Sequence, residues 1–319
     1  MTEIRGNEHP DTGNESNEAG WYLTVDSGSD RLRLDRFIAK RIERVSRARA
    51  AKLQVVDLDQ PTLTLKKSSS VHTGQRLWVK RPMPDADEIP PEPTIIYEDE
   101  QLMVLNKPTG LAVHPTASRF KSTVTWWLSE HFSQARIEPV HRLDLETSGV
   151  LVCAKDAVTN RTLKQSFSTG LIEKYYLALT EHAVPAPKWT MDNALGFHQN
   201  SAIKLRMGSG QLAAKTHFEV METFEQLTLV RAQPVTGRQH QIRVHMAMGG
   251  QPIVGDKIYG PDENLFLEHL NGQLSSEQYE RLGHHRLALH ASEIGFELEG
   301  KHHLFHAEIA SDLVSLTNK

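Results

Sequence analysis

A polar stretch that leads directly into an apolar run constrains the fold of this chain more than any other feature. Residues 141–149 (HRLDLETSG) carry several polar side chains, and residues 150–154 (VLVCA) are all apolar. An apolar run of this length, bounded by a glycine and a lysine, is typical of a strand buried on both faces. Loops fixed by the end of a buried strand often carry functional side chains. Asp144 and Arg142 are therefore candidates for a site, although an ordinary turn with a surface ion pair is the alternative.

The composition is that of a globular protein with enough chain for two domains. The chain has 319 residues, of which 39% are apolar and 24% charged. No apolar run approaches the roughly eighteen residues of a membrane span, and the N-terminal residues lack the apolar core of a secretion signal. The single cysteine, Cys153, lies in the predicted strand. We expect a cytoplasmic protein without a membrane segment and without an internal disulfide.

Charge is distributed unevenly along the chain. The net charge of −4 argues mildly against a nucleic-acid partner, yet residues 31–52 contain nine Lys or Arg and only two acids. Two short helices are predicted here, with positive charges on their exposed faces. Such a concentrated basic surface binds RNA phosphates without reading sequence, whereas a solvated charged helix without a partner is the alternative. The residues predicted to bind RNA are Arg36, Arg47, Arg49 and Lys52.

Four segments are predicted from the pattern of charge, proline and periodicity. Residues 1–20 are acidic and lack periodicity, which predicts a disordered tail. Residues 21–81 combine the basic helices with short strands predicted at 63–65 and 77–79. Residues 82–94 contain five prolines, which predicts an extended linker. The remaining residues, 95–319, form the predicted large domain.

Further elements of the large domain follow from capping and periodicity. Asp156 is a suitable N-cap and Gly170 a suitable stop for a helix that follows the buried strand. Another helix is predicted to begin near Arg238. The histidines at 284–285 and 302–306 lack zinc-ligand spacing, so no metal site is expected. No glycine-rich nucleotide motif follows a predicted strand, so no nucleotide cofactor is expected.

The central stretch has a recognisable pattern. Residues 141–149 resemble the His-Arg-Leu-Asp-x-x-Thr-Ser-Gly signature of the RluA-type RNA pseudouridine synthases at every fixed position. The basic segment resembles the S-four RNA-binding module that often precedes the catalytic domain in this family. Four further stretches resemble family motifs: V-x-N-K-P-x-G at 104–110, K-x-Y at 174–176, T-G-R-x-H-Q-I-R-x-H at 236–245 and G-D-x-x-Y-G at 255–260.

The resemblance implies a fold and a reaction. The fold is α+β, with a catalytic domain on a long, mostly antiparallel sheet preceded by a small α+β RNA-binding module. The reaction converts uridine in structured RNA to pseudouridine without a metal or an organic cofactor. In this family the uracil detaches, rotates and rejoins the ribose through carbon five.

The resemblance also implies roles for individual residues. Asp144 is the nucleophile, Arg243 pairs with it, and Tyr176 packs against the uracil and assists removal of the ring proton. The residues assigned to substrate binding are Arg142, which fills the space of the flipped nucleotide, and His141, Lys174, Arg238, His240 and Lys107. His141 is expected to order its loop rather than exchange protons, and Lys107 either contacts phosphate or shields an edge strand.

The chemistry of these residue types is consistent with that reaction but leaves alternatives. A buried Asp beside an Arg stays ionised and can act as a nucleophile. A hydrolase that uses Asp144 with Glu146 is one alternative, and a non-catalytic RNA-binding protein on the same scaffold is another. The S-four-like module and residues 114–115 favour 23S ribosomal RNA as the target, with transfer RNA as the alternative. We expect a monomer.

Overall fold

The structure, a computed structural model, describes residues 20–42, 45, 47–51, 53–61, 63–80, 91–116, 119, 121–133, 135–181, 184–271 and 274–317. These residues belong to two compact units, the first within Met1–Glu88 and Pro115–Lys121 and the second within Ile89–His114 and Ser122–Lys319. Residues 1–19 of the predicted tail and 82–90 of the predicted linker lie outside the described residues, as do Lys52 and the side chain of Arg49. The predicted segment boundaries stay predictions. Within the described residues, no helix is both long and apolar enough to cross a membrane.

The first unit contains a three-stranded antiparallel sheet with two short helices. The strands are β1 (Gly20–Thr24), β2 (Gln54–Asp57) and β3 (Arg76–Lys80), in the order β1-β3-β2. The helices are α1 (Leu34–Arg41) and α2 (Arg47–Ala50), and a 3-10 turn spans Ser27–Ser29. The apolar side of α1 packs on the sheet through Leu34, Phe37 and Ile38, which are fully buried.

The strand predicted at 63–65 is wrong, because β3 pairs with β2 and β1 instead. The apolar residues Leu63 and Leu65 alternate as they would in a strand, but Leu63 is 49% exposed. The sequence alternation therefore does not indicate a buried strand face there. The chain turns directly after β2, where the Asp57 carboxylate accepts the backbone N–H groups of Asp59 and Gln60. The strand predicted at 77–79 is confirmed within β3.

The second unit is built on a ten-stranded sheet in which the order of the main path is β4-β5-β7-β14-β8-β13-β12-β9. Strand β6 pairs with β7 and strand β15 pairs with β14. All of these pairs are antiparallel except β7 with β14, which confirms the mostly antiparallel sheet. A separate hairpin is formed by β10 and β11. The bounds are β4 Thr94–Glu98, β5 Leu102–Lys107, β6 Glu138–Pro139, β7 Ser148–Ala154, β8 Glu173–Thr180, β9 Lys188–Met191, β10 Leu195–Phe197, β11 Met207–Ser209, β12 Thr216–Thr223, β13 Thr228–Pro234, β14 Leu289–Leu298 and β15 Lys301–His306.

Helices of the second unit cover and connect these strands. Helix α4 begins at the predicted cap, because the Asp156 carboxylate accepts the N–H groups of Val158 and Thr159, and it ends at Gly170 with φ of 77°. The bounds are α3 Val124–His131, α4 Ala157–Thr169, α5 Gln241–Met248, α6 Asn264–Asn271, α7 Ser276–Leu282 and α8 Ser311–Thr317.

The predicted buried strand is β7, and all seven of its residues are buried. Its two faces belong to two apolar clusters, with Val150 and Val152 in one and Leu151 and Cys153 in the other. Gly149 has φ of 111°, and a Cβ there would lie 2.1 Å from the carbonyl oxygen of Ala291 on β14. Only glycine fits this close approach, which fixes the end of the 141–149 loop against the sheet.

Helix α5 begins later than predicted. Residues 236–240 form a turn, because the Gln241 side chain accepts hydrogen bonds from the Thr236 hydroxyl and the Arg238 N–H. His240 follows in the left-handed conformation, with φ of 54°, and the helix starts at Gln241. The short-range bonds of Gln241 therefore override the helical periodicity at Arg238.

Candidate active site

A cleft of about 460 Å³ lies in the second unit beside the loop that leads into β7. It is lined by residues of that loop, by β8 and by the turn before α5 together with the first residues of α5. The cleft brings together most of the residues that the sequence indicated. They are Asp144, Tyr176, Arg243, His141, Arg142, Lys174, Arg238 and His240.

Arg243 joins two carboxylates at this cleft. Its Nη1 donates to Oδ2 of Asp144 at 2.9 Å, and its Nε and Nη2 donate to Oδ2 and Oδ1 of Asp256 at 2.7 and 2.8 Å. Oδ1 of Asp256 also accepts the N–H groups of Ile258 and Tyr259. Asp256 thus fixes the guanidinium from its buried side, and Nη1 of Arg243 holds one oxygen of Asp144.

The electrostatics of this arrangement keep Asp144 ionised. Burial raises the pKa of Asp144, but the positive charge of Arg243 outweighs burial and brings the pKa below its ordinary value. The pKa of Asp256 is lowered for the same reason. The side chain of Asp144 is 23% exposed, so the carboxylate is partly desolvated yet accessible. Such a carboxylate can act as a nucleophile.

Tyr176 lies on β8 and also lines the cleft. Burial and the negative charge of Asp144 raise the pKa of Tyr176 above its ordinary value, so the phenol stays protonated at neutral pH. The preceding Tyr175 does not line this cleft; its ring lies under the guanidinium of Arg231 at 3.8 Å, and its hydroxyl accepts from Gln233. Tyr176 is therefore the tyrosine available to a ligand in the cleft.

His240 lies beside Asp144 as a neutral ring, beyond hydrogen-bond distance. Its Nδ1 lies 2.8 Å from the hydroxyl of Tyr259, which itself accepts the N–H of Met207. Among the described residues, Nδ1 is the acceptor within reach of that hydroxyl hydrogen, so the imidazole hydrogen belongs on Nε2. Nε2 lies 3.8 Å from Oδ2 of Asp144. Burial lowers the pKa of His240 to about 4, so the ring is neutral at physiological pH.

His141 ties its loop to β7 and α4. Its Nε2 accepts the N–H of Val152 at 3.0 Å, and its ring stacks on Phe167 with 4.7 Å between the centroids. Burial lowers the pKa of His141 to about 3, so the ring remains neutral. The exposed side chains of Arg142 and Arg238 line the same cleft, and Nε of Arg238 donates to the carbonyl of Ala213.

The prediction that Lys107 contacts phosphate or shields an edge strand is wrong. Lys107 is fully buried, and β5 lies between β4 and β7 rather than at an edge. Its Nζ donates to the carbonyls of Pro108 and Leu111 at 2.8 Å and to that of Leu145 at 3.4 Å. Because Leu145 follows Asp144, this buried amine ties the loop of Asp144 to the end of β5.

Replacing Lys107 by Met should lower the free energy of unfolding by roughly 2–4 kcal/mol, since the carbonyl oxygens lose their donor. Burial lowers the pKa of Lys107 from 10.5 to about 7. Between those values the unfolded chain binds more protons than the folded one, so the contribution of Lys107 to stability increases as the pH rises. Urea unfolding at pH 7 and pH 9 should show a larger difference between wild type and Lys107→Met at pH 9. A difference that shrinks with pH would contradict this account.

Glu146, the second carboxylate of the loop, forms its bonds with residues outside the cleft. Its Oε1 accepts from Nζ of Lys257 at 2.7 Å, and its Oε2 accepts the N–H of Leu287 at 3.1 Å. Among the described residues that line the cleft, Asp144 is the only carboxylate. A hydrolase with two carboxylates flanking the scissile bond requires a second one at the site. This geometry therefore argues against the hydrolase alternative.

In the first unit, the predicted RNA-binding residues differ in their surroundings. Arg36 is exposed, whereas Nε of Arg47 donates to the Asp35 carboxylate at 3.0 Å, which Arg33 also contacts. Part of the positive charge is therefore neutralised within the unit. RNA binding by this surface stays a prediction.

The predicted lack of a metal site also stays a prediction. His284, His285 and Asp312 lie close enough together to share a cation. However, Arg286 donates to both oxygens of Asp312, at 2.5 and 2.7 Å. That ion pair already accounts for the charge of Asp312.

Two residues at the site, Asp256 and Tyr259, are ones for which the sequence alone indicates no role. Both residues belong to the motif at 255–260, so the sequence marks their positions. Their contacts could not be inferred from the sequence, because Asp256 reaches Asp144 through Arg243 and Tyr259 contacts the site through His240.

Comparisons with known proteins agree with the motifs. The family model described as RNA pseudouridylate synthase matches residues 101–248. An uncharacterized RNA pseudouridine synthase of Bacillus subtilis, YlyB, is 31% identical, over 79% of this chain and 82% of that protein. Ribosomal large subunit pseudouridine synthase D of Xylella fastidiosa is 32% identical, over 74% of each chain.

Solved structures show the same fold. Human RNA pseudouridylate synthase domain containing 4 superposes with a TM-score of 0.53 at 26% identity, over 70% of this chain and 91% of that chain. Human RNA pseudouridylate synthase domain containing 1 gives a TM-score of 0.56 at 22% identity, over 68% and 83%. With the motifs and the relatives that align over most of their length, these findings establish that the chain belongs to the RluA-type RNA pseudouridine synthases, which are isomerases.

Proposed function

We propose that Asp144 is the nucleophile with which this enzyme converts uridine to pseudouridine. The observation that carries the proposal is the ion pair between Arg243 and Asp144 in a cleft that Tyr176 also lines. Arg243 holds Oδ2 of Asp144 and keeps the carboxylate ionised. Since Asp256 anchors Arg243 from behind, the carboxylate is held in place before RNA arrives, which is the preorganisation that catalysis requires.

The chemistry is an internal transfer in which atoms balance. After attack by Asp144, the bond between N1 of uracil and C1′ of ribose breaks, and the uracil turns within the cleft. A bond then forms between C5 and C1′, the bond to Asp144 breaks and restores the carboxylate, C5 loses its proton, and N1 gains one. The product is an isomer of uridine, so no water or redox partner is consumed.

Tyr176 and Arg142 would act on the extruded base. The Tyr176 ring packs against the uracil, as aromatic side chains do with unstacked bases. Because its phenol is protonated, Tyr176 can take up the C5 proton only if its own hydroxyl hydrogen passes to an acceptor. Arg142, exposed at the cleft, would fill the space that the flipped uridine leaves in the RNA.

We propose large-subunit ribosomal RNA as the substrate. The support is that relatives from Xylella fastidiosa, Vibrio parahaemolyticus and Zymomonas mobilis are named ribosomal large subunit pseudouridine synthases. The exposed Arg36 of the first unit could contribute a phosphate contact. An enzyme with this substrate would act in the cytoplasm.

Pseudouridine mapping across all cellular RNA tests both proposals at once. A strain that lacks the gene should lose pseudouridine at one or more large-subunit positions. Wild-type protein should restore them, and Asp144→Asn should not. Loss only in transfer RNA would replace the proposed target, and restoration by Asp144→Asn would support a non-catalytic protein.

Replacing Tyr259 by Phe tests the role of His240. The N–H of Met207 would lose its buried acceptor, at a cost of about 1–3 kcal/mol in the free energy of unfolding. His240 would lose the bond that places its hydrogen on Nε2, so kcat should fall several-fold while RNA affinity is retained. Urea unfolding and single-turnover rates measure the two effects. Tyr279→Phe on α7 serves as the control, and a Tyr259→Phe enzyme as stable and as fast as wild type would contradict the role.

A further inference from the structure

We propose that Lys174 forms a phosphate subsite in the cleft, which binds a backbone phosphate adjoining the uridine held near Asp144. The proposal rests on the proposed function, because it takes the cleft as the place where the target nucleotide binds. The new claim is which group of the RNA Lys174 recognises.

The first observation is that the Lys174 side chain is largely buried and its ammonium has no ionic partner. Lys174 is 8% exposed on β8 and lines the cleft. Its Nζ lies 5.8 Å from the centroid of the Phe167 ring. Among the described residues, no carboxylate or carbonyl accepts a hydrogen bond from it. Burial of the stem removes part of the hydration of an unpaired ammonium, which is costly, and the ammonium faces the cleft, where an anion that arrives from outside can pair with it.

The second observation is the sign of the charges around the cleft. Among its described lining residues, four are cationic and one, Asp144, is anionic. The single carboxylate is already bound by Arg243. His141, which lies near Lys174, is neutral because Nε2 accepts the N–H of Val152. The cationic lining residues are Arg142, Lys174, Arg238 and Arg243.

The position of Lys174 indicates which anion it meets. Lys174 and Tyr176 lie two residues apart on β8, so their side chains leave the same face of the strand about 7 Å from each other. A uracil that packs on Tyr176 therefore has its own sugar and phosphate within reach of Lys174. The phosphates are the anionic groups of RNA at neutral pH, and a lysine binds them as a point charge.

Salt dependence distinguishes a phosphate contact from a contact with the uracil carbonyls. RNA affinity is measured from 50 to 300 mM KCl with unmodified large-subunit ribosomal RNA, in an Asp144→Asn background that prevents turnover. Lys174→Met should weaken binding about tenfold at low salt. It should also reduce the slope of log Kd against log salt by about 0.7–0.9, which corresponds to the loss of one phosphate contact. Lys174→Arg, which keeps the charge, should retain the slope.

Thermal stability separates this role from a structural one. Lys174→Met keeps the aliphatic stem and removes an unpaired charge at a largely buried position, so Tm should rise by roughly 2–4 °C, as for a gain of about 1 kcal/mol. The matched control is Lys257→Met. Lys257 is as buried but pairs with Glu146, so its loss should lower Tm and leave the salt slope unchanged.

Two results would overturn the proposal. An unchanged slope in Lys174→Met would indicate a neutral contact, and a lowered Tm would indicate a structural role. The slope is measured by RNA binding in a variant without turnover. The phosphate proposal can therefore fail while Asp144-dependent catalysis stands. Equally, the phosphate proposal can hold if Asp144 proves not to be the nucleophile.

Discussion

Asp144→Asn should lower kcat/KM for pseudouridine formation by at least about 10³-fold, because the amide cannot act as the nucleophile. The rest of the site should survive the change. The Asn oxygen can still accept from Nη1 of Arg243, and Arg243 keeps both bonds to Asp256. The free energy of unfolding should therefore stay within about 1 kcal/mol of wild type, and RNA affinity should be retained. Single-turnover assays, urea unfolding and RNA binding measure the three quantities.

Glu146→Gln is the matched control in the same loop. It weakens the ion pair with Lys257 and should reduce stability, yet the folded enzyme should still form pseudouridine. If Glu146→Gln were as inactive as Asp144→Asn, the assignment of Asp144 as the single reacting carboxylate would be contradicted.

Asp256→Asn should be the most destabilising single change at the site, with a loss of about 3–5 kcal/mol in the free energy of unfolding. The change leaves the buried guanidinium of Arg243 without its anchoring charge. If the Asn oxygen kept the N–H groups of Ile258 and Tyr259, the amide nitrogen would face the Nε donor of Arg243. A guanidinium that shifts takes Asp144 with it, so kcat should fall about 10²-fold in the fraction that folds.

Asp312→Asn provides a matched comparison. Asp312 also forms a two-point ion pair with an arginine, Arg286, but neither residue lines the cleft. This variant should lose stability and keep the kcat of the folded enzyme. Equal kinetic losses in both variants would show that stability alone, rather than the hold on Asp144, explains the effect of Asp256→Asn.

The sequence predicts best where local pattern and burial coincide. The apolar run of β7 is typical of a core strand, and the helix from Asp156 to Gly170 has a cap at each end, so both were predictable. The three residues that the family resemblance marked as catalytic all line one cleft. The motifs identify these three residues, and the fold of the sheet brings them close together.

What the sequence could not provide depends on long-range packing. From local sequence Lys107 is predicted either to contact phosphate or to shield an edge strand, and only the pairing of β5 with β4 and β7 shows that it is buried. The role of Asp256 requires α5 to lie beside the segment that follows it. The start of α5 depends on the side-chain bonds of Gln241, which periodicity does not report.

The most direct test of the account uses RNA labelled with tritium at C5 of uridine and with carbon-14 in the ribose. Bond formation at C5 releases its hydrogen, so wild-type enzyme should release tritium in step with carbon-14 pseudouridine, without free uracil. Asp144→Asn should release neither tritium nor uracil. Tritium release by Asp144→Asn at the wild-type rate, or free uracil from the wild-type enzyme, would contradict the claim that Asp144 isomerises a uridine retained in this cleft.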